Sequence, residues 1–77
     1  ETNIAFSLAA DSPVRLCVYN LKGQKVAELF SGNLPAGEHR KVWNGRDYHG
    51  RSVSSGIYLI RLEAESATFT RKMMLMK

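Results

Sequence analysis

The chain has 77 residues and a net charge of +4, from eleven Lys and Arg against seven Asp and Glu, and 44% of its residues are hydrophobic. That length suits one small apolar core near the lower limit at which burial alone holds a fold, so a single domain spanning residues 1–77 is expected. An ordinary apolar content excludes a disordered polymer, and no apolar run approaches the roughly 20 residues of a helical membrane span.

Period-two alternation recurs along the chain, and no segment offers two turns of helical periodicity, which predicts an all-β protein. In the first strand Ile4, Phe6 and Leu8 alternate with Ala5, Ser7 and Ala9; in the second Val14, Leu16 and Val18 alternate with Arg15, Cys17 and Tyr19. Gly23, in "NLKGQ", supplies the positive φ that a tight hairpin often demands, and a third strand follows over residues 25–30. "SGNLPAGEH" reads as a loop in which Pro35 presets φ, Gly37 tolerates the left-handed region and Leu34 tucks inward. A fourth strand is expected over residues 38–43 and a fifth over 56–64. Both alternating sets of the fifth are apolar, Tyr58, Ile60 and Leu62 on one side and Ile57 and Leu59 on the other, which suits the middle of a sheet. A turn near residues 65–67 leads to a last strand that starts at Thr68 and runs to the end. Short strands parted by Gly- and Pro-bearing turns favour an immunoglobulin-like antiparallel β-sandwich of about six to seven strands over a barrel.

The stretch "VWNGRDYHGRSVSSGIYLIRL" gathers three of the six glycines, the only tryptophan, two tyrosines, a histidine and an aspartate. Such company invites a search for chemistry. His39, His49, Cys17 and Asp47 have no recognisable ligand spacing, so neither a transition metal nor a cofactor is expected. Asn44, Asp47 and Ser52 offer oxygens to a calcium ion within one loop, but without the clustered acids of a dedicated site; the preferred reading is that Asn44 and Asp47 accept backbone N–H bonds and close the loop. "GRSVSSG" is not a nucleophile elbow, no paired carboxylates suggest a glycosidase, and no Gly-rich loop opens a helix to hold phosphate, so an enzyme is not expected. Trp43 reads as a core indole whose N–H finds a carbonyl, and its alternative is a stacking platform for sugar or nucleic acid. Tyr19 and Tyr58 take the same core reading, while Tyr48 and His49 read as exposed turn residues. Cys17 has no partner for a disulfide and reads as a small buried hydrophobe. The cations are scattered along the chain and indicate no particular partner, nucleic acid included.

The end is more unusual. "RKMMLMK" holds all three methionines within the last five residues. Met73 and Leu75 are expected inside the sheet, and Met74 and Met76 on the other face, where they need cover or a partner; methionine suits adaptable recognition surfaces. The start, "ETNIAFSLAADS", has no basic leader, no signal-like apolar segment and no initiating methionine, so it reads as a piece of a longer precursor with any export signal upstream.

Taken together, "VYNLKGQKVAEL", "LPAGEHRKVWNGRDYHGR", "SSGIYLIRLEA" and "KMMLMK" resemble the C-terminal sorting domain (type A) of proteins exported by the type IX (Por) secretion system of the Bacteroidetes, and its close relative, the immunoglobulin-like domain of the flagellar hook-capping protein. The resemblance implies a non-catalytic β-sandwich, an address that an outer-membrane translocon recognises and a sortase-like peptidase commonly removes from an upstream cargo, at the surface of or outside a Gram-negative cell. It places Gly23 on the family's hairpin glycine, Gly37 on its "aG" turn, and Gly56 with Tyr58 on its "sGvY" motif. Lys72, Met73, Met74, Leu75, Met76 and Lys77 fall on the terminal recognition strand. Trp43, Asn44 and Gly45 stand where the family commonly has Trp-Asp-Gly, and Arg46, Asp47 and Gly50 match the hook-cap branch as closely as the sorting branch. The alternative is therefore an accessory structural or interaction module of an extracellular enzyme or a hook-cap-type scaffold.

Overall fold

Alternating apolar residues stabilise a strand only if their shared face is covered, and this chain meets that condition by folding its strands into two facing sheets. The computed structural model of the chain describes residues 2–65 and 67–76. It contains six strands: β1 (Thr2–Leu8), β2 (Ser12–Tyr19), β3 (Lys25–Leu34), β4 (Gly37–Trp43), β5 (Gly56–Glu63) and β6 (Thr68–Leu75). β1 pairs with β4 in a two-stranded sheet, and the other four form a sheet in the order β3-β2-β5-β6. All pairings are antiparallel, so the fold is an immunoglobulin-like β-sandwich, the class the sequence predicts.

The core lies between the sheets. Ile4 and Trp43 come from the small sheet, and Leu16, Val18, Tyr58, Ile60, Leu62 and Leu75 from the large one. Each aliphatic side chain buried in this way contributes about 1.5–3 kcal/mol. Trp43 and Val18 are completely buried. Phe6, Leu8, Leu34 and Met73 pack against this cluster from its margins, so Leu34 does turn inward.

Two expectations need correction, and the central place of β5 holds. β3 does not stop at Phe30 but continues to Leu34, and Ser31, Gly32, Asn33 and Leu34 pair with Arg15, Val14, Pro13 and Ser12. The residues of "SGNL" are loop-like in composition, but the adjacent β2 offers them a ladder. Pro13 is tolerated there because pairing between β2 and β5 begins only at Arg15, which leaves the proline without a neighbour to bond on that side. β5 does lie between β2 and β6, and its second apolar face has no covering layer: Ile57 is exposed and Leu59 half-buried. The second correction is Tyr19, which is not a core residue. It shares the outward register of Arg15 and Cys17 and pairs with Leu59, so it lies half-buried on the outer face of the large sheet.

Candidate functional site

The polar, aromatic stretch between β4 and β5 is a closed corner. Trp43 ends β4 inside the core, and its indole Nε1–H donates to the Arg46 carbonyl at 3.0 Å. Its ring meets that of Tyr58 edge-on, with centroids 5.1 Å apart and planes at 71°. Tyr58, near the start of β5, donates its hydroxyl to the Ser54 carbonyl at 2.6 Å. A tyrosine that bonds back to the backbone a few residues upstream is the tyrosine-corner arrangement of immunoglobulin-type sandwiches. The alternation that sets Tyr58 beside Ile60 and Leu62 predicts its place in the core, but not its hydroxyl bond.

Between these anchors Asn44, Asp47 and several backbone groups bond within the loop. The Asn44 side-chain oxygen accepts the Arg46 N–H at 3.0 Å, and one Asp47 oxygen accepts the N–H groups of His49 at 2.9 Å and Arg51 at 3.0 Å. The Asp47 N–H donates to the Arg51 carbonyl, the Gly50 N–H to the Asp47 carbonyl and the Val53 N–H to the Gly45 carbonyl. Gly45 and Gly50, at φ of 75° and 79°, occupy the left-handed region that these reversals require. The Tyr48 N–H reaches across to the Val26 carbonyl at 3.0 Å and ties the loop to β3. The bond from the Arg51 N–H holds the Asp47 carboxyl below its ordinary pKa; desolvation opposes it, and the bond from the His49 N–H and the nearby His49 and Arg51 charges add to the lowering. Backbone donors thus occupy the Asn44 oxygen and one of the two Asp47 oxygens. The Tyr48 and His49 rings meet at the exposed tip, centroids 4.4 Å apart and tilted by 45°, and Ser52 forms an isolated bridge with Arg46.

Elsewhere the predicted residues are dispersed. Gly23 and Gly37 serve the β2–β3 and β3–β4 turns at positive φ, and Gly56 opens β5. Cys17 is buried beneath Arg15 and Glu28 on the outer face of the large sheet, and this burial pushes its thiol pKa up. A thiol raised in this way is a poor nucleophile. Among the described residues no group of three His, Cys, Asp or Glu side chains could hold a metal ion.

β6 divides its residues between two faces. Leu75 is 2% exposed and Met73 half-buried against the core, opposite Gly56 and Tyr58. Met74 and Met76 are 61% and 78% exposed, and Met74 lies directly across from the exposed Ile57. Lys72 is exposed and paired with Leu59. Lys77 lies outside the described residues. Sequence reasoning overlooked the start of this strand, where Phe69 and Arg71 continue the inward register of Met73 and Leu75. The signal was present as the alternation Phe69, Arg71, Met73, Leu75, but a charge in its second place masked it.

Two antiparallel sheets packed over a Trp43–Tyr58 anchor define an immunoglobulin-like β-sandwich domain. The FlgD Ig-like domain family matches residues 1–68, and the chain belongs to that family. The crystal structure of FlgD from P. aeruginosa is similar at 25% identity with a TM-score of 0.74, over 95% of this chain and 59% of that one. The chain therefore spans less than two thirds of that protein's length. No curated protein matches it.

Proposed function

We propose that the chain is a non-catalytic structural or interaction module of a larger protein, either a flagellar hook-cap-type scaffold or an extracellular enzyme that carries it as an accessory domain. Membership of the FlgD Ig-like domain family over residues 1–68 carries this reading. It is supported by the corner between β4 and β5, whose polar groups serve the fold. Such a module acts by presenting surface, and it remains in the finished protein. Mass spectrometry of the mature full-length protein, isolated from its own cells, is expected to find peptides from β1 through β6. A mature protein that ends upstream of β1 would overturn the reading.

A second reading has its own observation. The outward Met74, Met76 and Ile57, next to Lys72 on an edge strand, form the apolar and basic surface that a type IX sorting signal would present to an outer-membrane translocon and sortase-like peptidase. On that reading the domain is cut from its cargo during export, so the same mass spectrum separates the two. Both readings place the protein outside the cytoplasm.

A further inference from the structure

One side of the sandwich is open. Phe69 and Arg71 pair across the sheet with Leu62 and Ile60, so all four side chains share the core-facing side of the large sheet. Leu62 and Ile60 are 8% and 7% exposed, whereas Phe69 is 63% exposed and Arg71 is exposed as well. The small sheet therefore ends before it covers β6. The gap is a groove of ≈ 400 Å³ walled by β1 and β6 and floored by Leu16, Ile60 and Leu62. Every residue from Thr2 to Ser7 lines it, regardless of which way its side chain alternates, so the wall is the unpaired main-chain edge of β1 itself.

Two properties define what fits. The edge of β1, "TNIAFSL", has no charge, no proline and no bulge in its register with β4, so it lacks the devices that keep an exposed strand from pairing. The outer edges of β4 and β6, by contrast, carry Glu38, Arg40 and Lys41, and Arg71 and Lys72. The groove's only charged residues among those described are Arg71 and Lys72, and Arg71 has no ion pair among the described residues. A second copy of the chain suits this place poorly, because it has the same net charge of +4 and would bring its own β6, with Arg71, into the same space.

We propose that the open side is a docking groove for an extended segment of a partner polypeptide, apolar at alternate positions and carrying a carboxylate, which adds to the free edge of β1 as a third strand and sets its carboxylate against Arg71. Main-chain bonds to β1 supply affinity, and Phe69, Leu62 and Met73 receive the alternate apolar side chains. The carboxylate selects the segment and its register. This inference rests on the interaction-module reading and names the partner's chemistry.

The test uses the whole chain and a synthetic peptide as long as β1 that alternates valine and threonine around a central glutamate, with glutamine and lysine versions. Amide NMR shifts are expected to move along β1 on titration with the glutamate peptide. Glutamine in its place should weaken binding about five- to tenfold. Arg71→Glu, its fold checked by circular dichroism, should lose the glutamate peptide and gain the lysine peptide, and N-methylation of alternate peptide amides should abolish binding. Unmoved β1 amides, or binding indifferent both to peptide charge and to R71E, would overturn the proposal. So would self-association of the chain through β1 without peptide, which would make a second copy the occupant. If peptide binding fails while the mature protein retains the domain, only the groove is wrong; if the mature protein lacks the domain, the module reading itself fails.

Discussion

Replacing Trp43 with alanine is expected to lower the free energy of unfolding by about 3–5 kcal/mol. A domain of this size holds in all roughly 5–10 kcal/mol, so the variant should be largely destabilised at room temperature. The loss has three physical parts. The indole is fully buried at the junction of the two sheets, it supplies the edge-on contact to Tyr58, and its N–H satisfies the Arg46 carbonyl. Trp43→Phe keeps an aromatic ring but leaves that carbonyl without its donor and opens a small cavity, so it should fall between alanine and the native residue. Urea denaturation followed by circular dichroism measures both. An unfolding free energy for Trp43→Ala within about 1 kcal/mol of the native chain's would show that the indole is dispensable to the core and would reopen its reading as a binding platform.

The second large effect divides β6 by face. Leu75→Ala should cost about 2–5 kcal/mol, because it empties a site that is 2% exposed. Met74→Glu and Met76→Glu, on the exposed side, should each stay within about 0.5 kcal/mol of the native stability. The same denaturation series checks this, and a destabilising Met74→Glu would mean that the outer face is covered. The asymmetry also dictates how the sorting reading must be tested. Deleting residues 73–77 removes a core leucine together with the exposed methionines, so lost export would follow from unfolding alone. The outward glutamate variants keep the core, and in a type IX-competent host they isolate recognition from stability. Export of a fused reporter unaffected by both variants would count against recognition through that face.

Much of this fold was legible because alternation states which residues share a face. Ile4, Leu16, Val18, Tyr58, Ile60 and Leu62 announce the core, and the split of Met73 and Leu75 from Met74 and Met76 follows from the same period. The corner was legible for a different reason: asparagine, aspartate and glycine at close spacing have few uses more common than bonding their own backbone. What escaped depends on partners distant in sequence. The extension of β3 through "SGNL" exists because β2 lies alongside it. Tyr19 looks like a core aromatic until the register assigns its face to the outside. The exposure of Phe69 is a property of the other sheet, which among the described residues has two strands and ends short of β6, and no pattern local to Phe69 reports that. The open groove, the surface on which the interaction proposal rests, was thus the part least readable from the chain.

The glycine-rich aromatic corner is architecture, fixed to the core by the bonds of Trp43, Tyr48 and Tyr58, while the proposed function resides on the module's surface. Native-state hydrogen exchange tests this most directly at the amides of Asp47, Tyr48 and Val53, which donate to Arg51, Val26 and Gly45. Without any added ligand, the Tyr48 and Val53 amides are expected to exchange as slowly as those in β2 and β5, through global unfolding. Rapid exchange at these amides beneath a protected core would contradict it, since the loop would then be a mobile segment able to order around a ligand.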